Sequence, residues 1–160
     1  RAQHGFGMKV VYFNRSPVAP EQLAGLEATA CAHIEDVLAQ ADFVSLHCPG
    51  GGANRHLINA ARLAAMQPHA FLINTARGGL VDAGALRAAL CSGRLGGAAL
   101  DVLDPEPPPL DHPLLDAGIP NLLITPHSAW VSRESRQRLL DAIAANVRAW
   151  RAGQPINRVA

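Results

Sequence analysis

Short apolar runs alternate with stretches of helical period along the whole chain, and no other feature of the sequence restricts the fold as strongly. The runs are residues 9–13, 43–47, 70–74, 98–102 and 122–125; the helical stretches are residues 34–40, 60–66, 83–92 and 132–151. Strand and helix signals alternating at this pitch predict a parallel sheet joined by right-handed crossovers, a doubly wound α/β fold. Because the runs are apolar at successive positions, both faces of the sheet are expected to be covered. Asp82 stands where the helix over 83–92 needs an N-cap, and Gly93 stands where it needs to stop. The prolines at 105 and 107–109 exclude helix and central strand, so that segment is a loop.

Composition narrows what such a fold binds. The 14 Lys and Arg offset 13 Asp and Glu, for a net charge of +1, and like charges form no run. A nucleic acid or a membrane surface calls for a basic patch, so neither is expected as a partner; a small molecule is. Cys31, Cys48 and Cys91 are odd in number and far apart, without a Cys-x-x-Cys pair, so no disulfide framework or zinc site is expected. That pattern fits a reducing compartment. No apolar run approaches the roughly 20 residues of a membrane span and no leader opens the chain, which makes the cytoplasm the expected location. The chain starts on Arg1 and enters a strand-like run almost at once, which reads as a piece of something longer.

In open parallel sheets, ligands bind beyond the carboxyl ends of the strands. Residues 70–74 are followed by Thr75-Ala76-Arg77-Gly78-Gly79, residues 98–102 by Leu103-Asp104-Pro105-Glu106-Pro107, and residues 122–125 by Pro126-His127-Ser128. A guanidinium, a carboxylate and an imidazole are therefore expected on one rim. Arg77 can hold a planar carboxylate through two parallel N–H bonds. His127 can give a proton to a carbonyl oxygen as hydride arrives at carbon, because imidazole titrates near neutrality. Glu106 beside it favours the imidazolium and orients the ring. Each residue singly also fits a plainer role as a surface group, a cap partner or a turn residue. Jointly they form a set for carbonyl reduction. His47, Cys48 and His56 lack the paired spacing of metal ligands, and no metal site is assigned.

Three segments carry a resemblance. Ile73-Asn74-Thr75-Ala76-Arg77-Gly78-Gly79-Leu80-Val81-Asp82, then Gly96-Gly97-Ala98-Ala99-Leu100-Asp101-Val102 leading to Glu106-Pro107, then Thr125-Pro126-His127 resemble the signature segments of the D-isomer-specific 2-hydroxyacid dehydrogenases. The resemblance implies a Rossmann-like NAD(P)-binding sheet in an oxidoreductase that reduces a small 2-oxo acid. It implies catalytic roles for Arg77, Glu106 and His127, and places Asp101 on the nicotinamide side. Thr75 and Ala76, with Arg77 and His127, would line the cofactor, and Trp130 would wall the substrate pocket with Arg77 and His127. Pro49-Gly50-Gly51-Gly52 lacks the Lys-Ser/Thr of a phosphate cradle and is read as a flexible loop near the cofactor. Glu106-Pro107-Pro108-Pro109, Asp111-His112-Pro113-Leu114-Leu115 and His127-Ser128-Ala129-Trp130 are similar to the branch of hydroxypyruvate reductases (glycerate dehydrogenases) and glyoxylate reductases. An acid usually ends the second strand of an NAD-preferring fold. Here Val10-Val11-Tyr12-Phe13 runs into Asn14-Arg15-Ser16. All three polar residues can bond a 2′-phosphate, so NADP is favoured over NAD.

The Gly-x-Gly-x-x-Gly fingerprint is not in this sequence; by the resemblance it lies just upstream, with residues 1–7 as the tail of the helix it opens. The expected organisation is a partial NAD(P)-binding domain over 1–130, then a C-terminal helix and tail over 131–160 that return to a substrate domain outside this sequence. The sheet is expected to lack its first strand, leaving 9–13 and 43–47 without a ladder to the catalytic strands. The sequence alone is then inactive, and the complete protein is a homodimer. Two alternatives stay open: a non-catalytic dinucleotide-sensing, corepressor-like protein of the same fold, and an inactive truncated fragment. A compact tail, Pro155-Ile156-Asn157-Arg158-Val159-Ala160, favours the enzyme.

Overall fold

The computed structural model describes residues 1–158 and divides the chain into two compact units, Arg1–Ile124 and a second that begins at Thr125. Val159 and Ala160, the end of the tail read as compact, lie outside the described residues.

Six strands are present among the described residues of the first unit: β1 (Val10–Tyr12), β2 (Ala28–Ala30), β3 (Phe43–Leu46), β4 (Phe71–Asn74), β5 (Gly97–Leu100) and β6 (Leu122–Ile124). The last four form a parallel sheet in the order β3-β4-β5-β6, while β1 and β2 form a separate parallel pair. Register places Leu46 opposite Asn74, Asn74 opposite Leu100 and Leu100 opposite Ile124, so these strands end in line. Helices α1 (Ala2–Phe6), α2 (Ile34–Leu38), α3 (Ala60–Ala65) and α4 (Ala83–Cys91) complete the unit. The parallel four-stranded sheet flanked by helices is Rossmann-like, as the alternating pattern predicts.

Local chemistry sets the helix ends. Asp82 Oδ1 accepts the Ala85 N–H at 3.0 Å and starts α4, which ends at Cys91 with Ser92 as its cap, before Gly93 turns left-handed at φ +71°. Asn59 starts α3 in the same way, accepting from Arg62 N at 3.0 Å. The Arg94 guanidinium donates to the carbonyls of Ala64 and Met66 at the other end of α3. Leu38 of α2, Leu63 of α3, and Leu86 and Leu90 of α4 pack with Leu46, Leu72 and Leu100 of the sheet in one buried core. Burial of each such leucine contributes about 1.5–3 kcal/mol. Surface pairs tie the layers together. The Glu35 carboxyl is held below its ordinary value by a backbone hydrogen bond first and by Arg62 next, and the Asp116 carboxyl by Arg87 first and by the Gly118 N–H next.

Three expectations are corrected. Residues 43–47 do reach the strands that precede Arg77 and Glu106, because β3 pairs directly with β4; β1 and its partner β2 have no ladder to the larger sheet among the described residues. Strand β2 was not expected, since Ala28-Thr29-Ala30 offers no apolar run; the ladder from β1 makes it a strand. Nor are both faces of the sheet covered. Phe43 and Phe71 stack at 5.7 Å but stay 53% and 42% exposed, while Val44 and Leu72 beside them are buried. Continuous apolarity reports capacity for burial, and the helices of this unit fill one core only.

In the second unit, Ser132 Oγ accepts from Ser135 N at 3.2 Å and caps α5 (Arg133–Arg151), which has no buried residue. Among the described residues no helix is long and apolar enough to cross a membrane.

Candidate active site

Because β3, β4 and β5 end in register, the segments leaving them share one rim. Strand β4 ends on Asn74, 1% exposed, and the chain turns through Thr75, half-buried Ala76 and exposed Arg77. The Asn74 amide spans this turn: Nδ2 donates to the Arg77 carbonyl at 2.9 Å, and Oδ1 accepts the Ala76 N–H at 3.0 Å. Arg77 Nη1 donates to the Ala76 carbonyl at 2.6 Å, leaving other guanidinium donors for a ligand.

Strand β5 ends at Leu100 and is followed by buried Asp101, whose N–H donates to the Asn74 carbonyl at 2.9 Å. The following loop brings Glu106, and its Oε1 accepts the Leu103 N–H at 2.9 Å. Two anchors hold the loop. Asp104 Oδ2 pairs with Arg55 Nη1 at 2.9 Å. Buried His112 accepts the Leu114 N–H on Nδ1, which leaves Nε2–H to donate to the Asp104 carbonyl at 3.3 Å. The Arg77 turn and the Glu106 loop approach so closely that a Cβ at Gly78 would lie 2.0 Å from the Leu103 carbonyl. The structure thus brings the Arg77 and Glu106 segments together.

From the end of β3, Pro49 and Gly50 come up against Arg77. A Cβ at Gly50 would lie 2.8 Å from the Arg77 Cβ. Asn54 Nδ2 donates to the Pro49 carbonyl at 2.9 Å, so this loop is tied down as well as glycine-rich. His47 bonds Ser45 at 2.8 Å, and His56 faces Asp82 at 3.9 Å.

His127 and Trp130 belong to the second unit. His127 adopts a left-handed backbone, φ +51°, directly after Pro126, and its N–H donates to the Thr125 carbonyl at 3.0 Å. A non-glycine residue held there costs on the order of 1 kcal/mol, and such strain concentrates at functional positions. Trp130 Nε1 donates to the His127 carbonyl at 2.9 Å, fixing the indole to this turn. At the end of β1, Asn14, Arg15 and Ser16 are all exposed, and Asn14 Nδ2 closes the turn onto the Ser16 carbonyl at 2.8 Å.

Sequence reasoning assigned no role to Asn74 or His112 and did not foresee the close approaches at Gly50 and Gly78. One signal was present: a polar residue closing an apolar strand must find partners for its buried amide. The glycine contacts leave no trace in sequence.

A family model described as "D-isomer specific 2-hydroxyacid dehydrogenase, NAD binding domain" matches residues 1–129. The chain belongs to the D-isomer-specific 2-hydroxyacid dehydrogenase family. It is 45% identical over 153 residues to a protein named glycerate dehydrogenase from Methylorubrum extorquens, across 96% of this chain and 46% of that one. A glyoxylate reductase from Korarchaeum cryptofilum is 37% identical over 154 residues, covering 96% and 45%. The solved D-lactate dehydrogenase with NAD+ from Lactobacillus jensenii superposes with a TM-score of 0.84 at 31% identity, covering 96% and 48%. The chain spans about half the length of the curated relatives it matches. The family comprises oxidoreductases acting on CH–OH donors, and its cofactor is a nicotinamide dinucleotide. The donor set at the end of β1 fits the ribose end of such a group, with a guanidinium and a hydroxyl exposed and no carboxylate in Asn14-Arg15-Ser16.

Proposed function

We propose that this sequence is the cofactor-binding and catalytic part of an NADPH-preferring reductase that converts hydroxypyruvate or glyoxylate to the 2-hydroxy acid. The observation that carries the reading is the junction at Gly78, where the Arg77 turn meets the Glu106 loop on the rim expected for ligands. Similarity to a glycerate dehydrogenase and a glyoxylate reductase supports the substrate class.

When bound, the reduced nicotinamide supplies the hydride. Arg77 holds the carboxylate of the 2-oxo acid through paired N–H donors and so fixes the adjacent carbonyl. His127 gives its proton to the carbonyl oxygen as the carbon is reduced, ends as neutral imidazole, and is reprotonated from solvent. Glu106 favours the imidazolium that precedes transfer. Asp101 lies on the nicotinamide side, Thr75, Ala76 and Pro49 line the cofactor, and Trp130 walls the substrate. Arg15 and Ser16 take the 2′-phosphate, the Asn14 amide being spent partly on its own turn. In the complete protein, residues 1–130 belong to the cofactor domain and 131–160 return to a substrate domain. That protein works in the cytoplasm as a homodimer, and its unpaired Cys31, Cys48 and Cys91 suit a reducing compartment.

The test measures oxidation of NADPH and of NADH with hydroxypyruvate and with glyoxylate, in this chain and in one extended upstream to the length of its relatives. The expected result is NADPH-preferring turnover in the extended chain, abolished by His127→Ala. A folded extended chain that binds NADPH but reduces neither acid sinks the reductase and favours a dinucleotide sensor.

A further inference from the structure

The turn that carries Arg77 has few bonds of its own: the Leu80 N–H donates to the Arg77 carbonyl at 3.3 Å, and Arg77 Nη1 donates to the Ala76 carbonyl at 2.6 Å. Thr75 is exposed, Ala76 is small, and Gly78-Gly79 follow directly. An arginine that must present a planar fork to a carboxylate needs its Cα and the first bonds of its stem held, since a misplacement of about 1 Å costs on the order of 10²-fold in rate. Two residues outside the proposed catalytic set do this. Asn74 is 1% exposed, and both ends of its amide engage the turn: Nδ2 donates to the Arg77 carbonyl at 2.9 Å, and Oδ1 accepts the Ala76 N–H at 3.0 Å. Its own carbonyl is tied to the Asp101 N–H at 2.9 Å, so the amide is anchored to the neighbouring strand end as well. From the other side Gly50 abuts the stem, leaving room for the Arg77 Cβ and Cγ only because it lacks a Cβ, which would lie 2.8 and 2.9 Å from them.

We propose that Asn74 and Gly50 are positioning residues for Arg77: Asn74 sets the main-chain path that aims the side chain, and Gly50 sets where its stem lies. The inference rests on the carboxylate-clamp reading of Arg77. It assigns the end of an apolar strand and a loop glycine a specific task, which is substrate orientation rather than cofactor binding. A larger residue at 50 pushes the near end of a side chain, which cannot swing aside as a flexible tip would.

The experiment uses the chain extended upstream to the length of its relatives, with Asn74→Leu, Gly50→Ala and, as control, Arg77→Lys. Asn74→Leu keeps the shape and removes both hydrogen bonds; Gly50→Ala lies on an exposed loop and leaves the core alone. Steady-state kinetics give KM and kcat for the 2-oxo acid, and fluorescence titration gives the Kd for NADPH. Asn74→Leu and Gly50→Ala are each expected to raise KM about tenfold, short of the roughly 10²-fold that a misplacement of about 1 Å costs, with the NADPH Kd of each within about twofold of the parent. Equal losses of substrate and NADPH binding in Asn74→Leu overturn its specific role. Should Asn74→Leu not fold, Gly50→Ala decides: a raised KM with the NADPH Kd within about twofold of the parent supports the positioning of Arg77 by its surroundings, and an unchanged KM, or equal losses of substrate and NADPH binding, overturns it. An unchanged KM in both variants beside a raised KM in Arg77→Lys overturns the positioning role and leaves the clamp standing. An unchanged KM in Arg77→Lys overturns the clamp and the inference together.

Discussion

Two turns of this molecule place an arginine just beyond a parallel strand, and they are built in opposite ways. After β4 the turn is Thr75-Ala76-Arg77; after β1 the residues are Phe13-Asn14-Arg15. Among the described residues strand β4 has a neighbour on each side, whereas β1 pairs with β2 alone. The first turn is bridged by a buried amide and touched by two loops at Gly50 and Gly78. The second is exposed throughout and closed by one local hydrogen bond, Asn14 to Ser16. Surrounding backbone supplies buried partners that fix the first turn, whereas the second is closed among the described residues by its own chain. Chemistry that needs a set geometry belongs on the first. A phosphate, which any nearby donor can satisfy, can be met on the second.

Substitutions in the two turns should therefore differ in size and kind. Arg77→Ala is expected to have the largest effect, lowering kcat/KM for the 2-oxo acid by roughly 10²–10³-fold in the extended chain. A loss no larger than that of Arg15→Ala would erase the contrast. Gly78→Ala comes next: its Cβ meets the Leu103 carbonyl, so the two loops must separate, and thermal unfolding should show a loss of about 1–3 kcal/mol, the usual cost of overpacking. An unchanged Tm would mean that the junction is looser than its distances. Arg15→Ala should raise the KM for NADPH about tenfold, the worth of one charge-assisted hydrogen bond, and leave that for NADH alone. Equal effects on both cofactors would remove Arg15 from 2′-phosphate binding. Asn14→Ala, which deletes only an exposed turn-closing bond, should change stability by about 0.5 kcal/mol or less. A larger shift in Tm would show that the edge turn is more firmly built than its exposure implies.

Much of this architecture was legible in the chain. The five apolar runs mark β1, β3, β4, β5 and β6, with ends displaced by a residue or two, because apolar periodicity and strand formation share one cause in burial. Asp82 and Gly93 bound α4 as local chemistry demands. Ala28–Ala30 was not legible, since a strand of two alanines and a threonine exists only by virtue of the ladder from β1. Arg77 and Glu106 were legible as residues just beyond strand ends. That Asn74 and Gly50 hold Arg77 was not, because a hydrogen bond across a turn and the room left by a missing Cβ are properties of assembled backbone.

By itself the sequence determined the α/β alternation, the parallel sheet and the family, since each follows from local periodicity or from contiguous motifs. Tertiary structure alone decided that β3 joins β4, β5 and β6 in one sheet and that two loops meet at Gly78. Those outcomes depend on which segments come within hydrogen-bonding or van der Waals reach across tens of residues, and no window along the chain contains both partners.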